Sequence, residues 1–558
     1  MTLSKEKLAA LYSLYKERRF EEVIQRCNTL LKEFSSDISL IKILAASNIG
    51  LGRFDIAIEN YKKIINLNPM DAESYNSIGV AYKEKGDITL AIKNYQQAVN
   101  LNPNYPAGYI NLGTALHEKG NTKEAIEIYK RVLELTPDNP RVYNSLGAAY
   151  LKEGDTAAAI DNYRRAIELS PDFLVAHNNL GIVLFQEGRL EEAIEVYNHV
   201  LQLNPDDAHA HANLGAALAE KNHLTQAIEC YQRAIKLNSN FALWIFDLGV
   251  LYAEVKDTET ALKYLYKSLE MDPDLPSTNH SIGLIYYELQ KYDDAIAAFD
   301  RAGSERAFSQ LLLCLHAQGK HDKFKQRVEG NLDKYKKNIE VAAVCSFTYD
   351  QINEVNIHPF CENPLDFIYS NSLSDYKKNT QKFIDDLLEE LKKEPEVWAL
   401  RKKSAQKGFH TTGNLFSNSC GEILGLEKII KKEIELYYNK FKSNSCVFMD
   451  VWPENLSLYG WSTRLVKDGY NTPHIHPSGW LSGVIYLQLV ESENRDEGAI
   501  EFSLLGPDYV VINENIPKVR YYPKPGDIVL FPSSLYHYTI PIRNEGERII
   551  VSFDLLPA

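Results

Sequence analysis

The chain has 558 residues, 45% of them hydrophobic and 24% charged, with a formal net charge of −14. That length exceeds one hydrophobic core and implies at least two domains, and the acidic balance argues against nucleic acid as a partner, since phosphate contacts want a basic surface. The seven cysteines, at 27, 230, 314, 345, 361, 420 and 446, are odd in number and form no CxxC pair, which excludes a disulfide framework or zinc ribbon and fits a reducing compartment. The N-terminus turns charged within a few residues, and no run approaches the ~20 apolar residues of a membrane span. A cytoplasmic protein with no membrane association is expected.

From residue 4 to about 305 the sequence repeats with a period of 34. Gly79, Gly113, Gly147, Gly181, Gly215, Gly249 and Gly283 recur at that spacing, as do Ala57, Ala91, Ala125, Ala159, Ala193, Ala227, Ala261 and Ala295. Pro69, Pro103, Pro137, Pro171, Pro205 and Pro273 close the units, with Ser239 as the one lapse, and Tyr95, Tyr129, Tyr163, Tyr197 and Tyr231 fall between. Each unit reads as two helices, with Gly at their close approach and Pro ending the second. One unit cannot bury its apolar stripe, so the units stack. The pattern resembles a tetratricopeptide repeat array of about nine units over residues 1–340. The first unit, about 4–37, is a degenerate cap, and residues 306–340 form a drifted helical end. In arrays similar to that of O-GlcNAc transferase, the slot two residues before the repeat Gly lines the concave face and its asparagines hold a peptide backbone. Here Asn111, Asn179, Asn213 and Asp247 occupy that slot, with Ser77, Ser145 and Ser281 in other units. The competing reading is that these are inter-repeat polar residues without a ligand. A protein or peptide partner is expected for this half.

The period stops near Ala302, and the domain boundary is placed near 340, with a second domain over 341–558. Val341–Phe347 reads as a short strand, and Pro364–Leu373, Thr380–Lys393 and Leu426–Phe441 as helices. Gly408–Phe416 reads as a loop passing over a site. From about 446 the period switches to 2, which predicts strands at 446–449, 456–467, 481–490, 499–504, 510–512, 527–531 and 549–556. Short strands with Gly and Pro punctuation imply a sandwich or jelly roll, buttressed by the preceding helices.

The candidate chemistry lies in Asn471-Thr-Pro-His474-Ile-His476-Pro-Ser-Gly-Trp480. Two histidines one residue apart point to one face of an extended strand. His537 follows 61 positions after His476, in Pro525-Gly-Asp-Ile-Val-Leu-Phe-Pro-Ser-Ser-Leu-Tyr-His537, and Arg548 opens another alternating run eleven residues later. In this order the motifs resemble the Fe(II)- and 2-oxoglutarate-dependent dioxygenases of the double-stranded β-helix fold, over about 345–558, and in particular a bacterial branch often fused to tetratricopeptide repeats. The resemblance implies Fe(II), 2-oxoglutarate and O2, with keto-acid oxidation to succinate and carbon dioxide driving oxidation, most commonly hydroxylation, of a substrate C–H bond. It makes His474 and His537 metal ligands.

The family's carboxylate slot holds His476, a departure from the two-His-one-carboxylate triad. Either His476 ligates, or a carboxylate elsewhere such as Glu501 supplies the third ligand, or water does. By the same resemblance Arg548 pairs with the distal carboxylate of 2-oxoglutarate, and Tyr486 and Ser552 each add a hydrogen bond. Trp480 reads as core or pocket wall, and His358 and His410 receive no role. The leading expectation is an oxygenase that recruits a protein or peptide through its repeats. Two alternatives stand beside it, a non-enzymatic scaffold with a ligand-binding barrel and a three-histidine dioxygenase that does not use 2-oxoglutarate.

Overall fold

The computed structural model describes residues 4–398, 405–411, 413–417, 419–455 and 457–557. Thr412, within the expected 408–416 loop, and Leu456, at the start of one expected strand, lie outside them. By internal contacts the chain forms two compact units, one ending at Pro205 and the other running from Asp206. No helix among the described residues is long and apolar enough to cross a membrane.

The first unit is built of helix pairs such as Ala72–Glu84 with Ile88–Leu101 and Pro140–Lys152 with Thr156–Leu169. The periodic residues explain the pairing. A Cβ on Gly79, Gly113, Gly147 or Gly181 would stand 2.5–2.7 Å from the ring of Tyr95, Tyr129, Tyr163 or Tyr197, sixteen residues on. Each glycine thus leaves the space its pair's tyrosine fills, and burying such a ring contributes roughly 1.5–3 kcal/mol. The repeat alanines are fully buried, where a larger side chain would hold the helices apart. Asp87 and Asp155 cap second helices by accepting from the Leu90 and Ala158 amides.

The proline reading needs a correction. The second helices end at Leu67, Leu101, Leu135, Leu169 and Leu203, two residues before the proline position. The unit with Ser239 in that position ends identically at Leu237. Termination therefore lies at the extended residue after the helix, such as Asn102 or Asn238, and the proline follows a helix already closed.

In the second unit the pairs continue to Ala302, with Tyr231, Leu265 and Phe299 packed on Gly215, Gly249 and Gly283. The helices Glu305–Ala317, His321–Glu329, Leu332–Tyr335 and Ile339–Gln351 follow. The last replaces the strand expected at Val341–Phe347. Every residue from Val341 to Tyr349 is buried, so the run shows no polar face by which its period could be recognised.

Among the described residues ten strands follow: β1 (Tyr369–Ser372), β2 (Glu396–Trp398), β3 (Ala405–Thr411), β4 (Ser457–Asn471), β5 (Leu481–Gln488), β6 (Ile500–Ser503), β7 (Lys518–Tyr521), β8 (Asp527–Pro532), β9 (Tyr536–Thr539) and β10 (Arg548–Leu556). They pair antiparallel in two sheets, of order β1-β8-β5-β10-β4-β3-β2 and β7-β6-β9. Alternation assigns the faces of the large sheet. Leu481, Ile485, Leu530, Val551 and Phe553 pack outward with the helices Thr380–Leu391 and Gly421–Phe441, the expected buttress. Val484, Tyr486, Val529, Phe531 and Ile550 face inward, onto Ile500 and Phe502 of the small sheet. The architecture is an all-α repeat array followed by an antiparallel β region with buttressing helices, the fold class expected.

Other local expectations fail. Residues 446–449 enter a short helix, Val447–Asp450, and Pro364–Leu373 divides into a 3-10 turn, β1 and the start of a second turn. Gly408–Thr411 belongs to β3, so only the part after it turns. Val510–Ile512 is not a strand. Its backbone bonds instead to helix side chains: His316 Nε2 donates to the Val510 carbonyl, and Gln351 Oε1 accepts from the Ile512 and Asn513 amides.

Candidate functional site

After β4 ends at Asn471, the chain crosses towards the small sheet. His474 pairs with His537 of β9 through reciprocal backbone bonds of 3.2 and 3.1 Å, and the His476 amide donates to the Ser533 carbonyl. The two close histidines therefore sit on an isolated bridge and the following coil, not within a regular strand as expected. Their rings converge all the same. Ring centroids are 5.2 Å apart for His474–His476, 4.3 Å for His474–His537 and 5.1 Å for His476–His537. One nitrogen from each lies within 4.8 Å of the others.

Each Nδ1 faces an oxygen: the Thr472 carbonyl at 2.7 Å from His474, Asp554 Oδ1 at 2.6 Å from His476, and the Leu535 carbonyl at 3.1 Å from His537. Carbonyl and carboxylate oxygens only accept, so each Nδ1 carries the proton and donates. A neutral imidazole held this way presents its Nε2 lone pair, as metal-ligating histidines require. Burial, reinforced by His476, pushes His474 down to about 4, and burial and the neighbouring imidazoles push His537 well below the usual range. Both are neutral at pH 7 and need lose no proton to a metal.

Along the inner face of β10, alternation aligns Arg548, Ile550, Ser552 and Asp554. Arg548 is 1% exposed, and among the described residues its Nε and Nη1 have no hydrogen-bond partner. Its guanidinium carbon lies 5.2 Å from the ring of Tyr486, whose buried hydroxyl likewise has no hydrogen-bond partner among the described residues. Burial lowers the Arg548 pKa from its ordinary value. A buried cation without counter-ion or full hydrogen bonding is costly and calls for an anion. Arg548 also lines a cavity of about 280 Å³ with Arg495, Tyr522 and Lys524.

Glu501, the alternative ligand, does not reach the site. It sits on β6 beside Phe502, which pairs with His537, so alternation turns it to the opposite face. There it binds Arg520, Lys518 and the Tyr538 hydroxyl. Trp480 is core: it is 3% exposed, and its indole N–H donates to the Phe448 carbonyl. His358 and His410 bond to the Tyr335 and Thr411 carbonyls, outside the cluster.

In the repeats, Asn111 donates to Asn76 at 2.9 Å and Asn179 to Asn144 at 3.0 Å, each across neighbouring units. Asp247 accepts from the Tyr231 hydroxyl, and burial pushes it up to about 6. Asn213 is half-buried.

Sequence reasoning missed Asp554, although alternation from Arg548 places it on the inner face six residues on. It missed Trp461, whose ring lies 5.6 Å from His476. It also missed a cleft of about 1060 Å³ in the second unit, where Pro473, His474 and Pro477 share the wall with Tyr287, Arg306 and Glu340 of the helices. No local pattern marks the last three; only packing brings them there.

Residues 459–554, which contain every β-region site residue above, match the family described as "Putative 2OG-Fe(II) oxygenase". Residues 50–86 match a TPR repeat, and residues 70–307 the "Cilia and flagella-associated protein 70 C-terminal domain". Among curated proteins, the rhomboid protease GluP of Bacillus subtilis is 34% identical over 72 residues, 13% of this chain and 14% of that protein. The chain thus spans a small part of that relative. Among solved structures, the APC/C hetero-tetramer Cut9–Hcn1 is 20% identical, covering 50% of this chain and 55% of that one, with a TM-score of 0.37. The TPR protein YrrB is 25% identical, covering 33% and 95%, with a TM-score of 0.29. MamA from Desulfovibrio magneticus RS-1 is 24% identical, covering 30% and 96%, also at 0.29. The chain joins tetratricopeptide repeats to a segment matching the 2OG-Fe(II) oxygenase family.

Proposed function

We propose that this protein is an Fe(II)- and 2-oxoglutarate-dependent oxygenase acting on a protein or peptide substrate. The observation that carries the reading is three converging imidazoles, each with Nδ1 committed to a hydrogen bond, together with a buried guanidinium whose Nε and Nη1 have no partner among the described residues. His474, His476 and His537 would hold the iron. Arg548 and Tyr486 would bind the distal carboxylate of 2-oxoglutarate, and Ser552, between Arg548 and Asp554 on β10, would add a hydrogen bond. Bound there, iron and the keto acid would supply, with O2, the oxidation of a substrate C–H bond.

The chain's own residues do the rest. Carbonyl and carboxylate oxygens hold the imidazoles in the ligating tautomer, while inward apolar residues such as Val484 and Phe531 keep water from the strand face. Repeat-side residues Tyr287, Arg306 and Glu340 share a cleft with His474, which supports a substrate segment bound by helices and presented at the metal. At about 1060 Å³ the cleft exceeds the usual 300–1,000 Å³ of small-molecule sites. In this reading residues 1–340 recruit, with Asn111, Asn179, Asn213 and Asp247 offered to a peptide backbone, and residues 341–558 catalyse, in the cytoplasm.

A three-histidine dioxygenase without keto acid is favoured by His476 in the carboxylate slot but leaves Arg548 unexplained. The test is anaerobic addition of Fe(II), then 2-oxoglutarate, watching the visible charge-transfer band of the chelated keto acid. The band is expected in the wild type, absent in His474→Ala, and shifted to higher 2-oxoglutarate concentration in Arg548→Ala. Iron binding without a band would favour the three-histidine enzyme, and no iron binding would favour a scaffold.

A further inference from the structure

We infer that Asp554 is a positioning residue for the metal, supplying through His476 the carboxylate that the ligand set lacks. The inference rests on the metal-site reading above. Asp554 Oδ1 accepts from His476 Nδ1–H at 2.6 Å and from the Ser482 hydroxyl at 2.7 Å. With its proton committed to Asp554, the Ser482 hydroxyl can only accept from Ser533 Oγ, 2.8 Å away. Ser533, Ser482 and Asp554 are all buried, so the relay is anchored in the sheets rather than resting on the surface.

Gly479 belongs to the same device. A Cβ there would stand 2.6 Å from Ser533 Oγ and 3.1 Å from Asp554 Cγ, so the turn after His476 closes over the carboxylate only because residue 479 has no side chain. His474 and His537 donate instead to main-chain carbonyls. His476 alone of the three is backed by an acid, and it occupies the position where the family resemblance expects a carboxylate ligand. A carboxylate behind a ligating imidazole fixes its tautomer and orientation and raises its basicity. Negative charge is thereby returned to the third ligand position at one remove.

The experiment measures Co(II) affinity by calorimetry and the visible Co(II) spectrum for wild type, Asp554→Ala, Asp554→Asn, Ser482→Ala and His474→Ala, with Tm recorded for each. Asp554→Ala is expected to weaken Co(II) binding about 10- to 100-fold. Asp554→Asn keeps an acceptor for His476 Nδ1–H but not the charge, so its loss should be smaller and its Co(II) bands shifted from wild type. Ser482→Ala should cost only a few-fold. A merely structural role would lower Tm without this ordering or the band shift. Wild-type affinity and bands in Asp554→Asn, together with wild-type affinity in Asp554→Ala, would overturn the inference. If Asp554→Ala does not fold, the Asp554→Asn affinity and spectrum decide alone. Wild type binding no better than His474→Ala would overturn the metal reading itself, a result distinguishable from failure of Asp554.

Discussion

Asn111 and Asn179 in the repeats each spend an amide N–H on an asparagine of the neighbouring unit, whereas Arg548 Nε and Nη1 and the Tyr486 hydroxyl, on the inner face of the β region, have no hydrogen-bond partner among the described residues. The first set is half-buried and the second buried in the same chain. A buried polar group without a partner costs about 1–3 kcal/mol, more when charged. The repeat pairs avoid that cost by holding units together, while the β region carries it at the place where a ligand would relieve it. The contrast separates polar residues that make the scaffold from polar residues that wait for something. Each asparagine still has its second amide N–H and its Oδ1 to offer a peptide backbone, so the inter-unit bond and the ligand role are compatible.

The largest effect that would test this contrast is at Arg548. Arg548→Met should weaken 2-oxoglutarate binding by about 2–4 kcal/mol, roughly 30- to 1000-fold, because a buried charge-assisted contact is lost. It should leave the Tm of the unliganded protein unchanged or higher, since an apolar side chain replaces an unpaired cation. Calorimetry and thermal unfolding check both, and a lower Tm would mean that Arg548 serves the scaffold.

Asp247 sharpens the comparison from the repeat side, as the slot residue whose group is strained by burial. Its folded pKa of about 6 lies above the ordinary 3.8, so the folded state holds the proton more tightly than the unfolded state. Stability is therefore fully present below the unfolded pKa and falls as pH rises through about 6. Asp247→Asn should gain about 1–3 kcal/mol at pH 7 and nothing near pH 3.5, read from denaturant unfolding at the two pH values.

Gly147→Ala tests the packing rule of the repeats. The new Cβ would meet the Tyr163 ring at 2.6 Å. Overpacking costs about 1–3 kcal/mol against ~1 kcal/mol of helix propensity gained, so a net loss of up to about 2 kcal/mol is expected in thermal unfolding, with 2-oxoglutarate turnover unchanged. The smallest effect belongs to Asn111→Ala. Loss of one side-chain hydrogen bond should cost about 0.5–1.5 kcal/mol, and a much larger fall in affinity for a peptide substrate would support the ligand role for the slot.

The 34-residue period, the glycine and alanine contacts and the repeat architecture are determined by local sequence, because each unit's helices meet residues a fixed distance along the chain. The convergence of His474, His476 and His537 was legible from short motifs in a fixed order, although the two close histidines sit on an isolated bridge and coil, and alternation along β10 gives Arg548 its inward face. What local pattern could not decide is equally physical. The run Val341–Phe347 has no polar face, so only its packing on all sides makes it a helix. Val510–Ile512 has strand-like composition, but its backbone partners are Gln351 and His316, more than 150 residues earlier. Glu501 has the right chemistry and the wrong face, and Asp554 acquires meaning only when His476 and Ser482 arrive beside it. The sequence by itself singled out His474, His476, His537 and Arg548 as candidates to bind metal and anion. The tertiary structure decided which of them keep an open lone pair or an unspent N–H, because that depends on every neighbour the fold supplies.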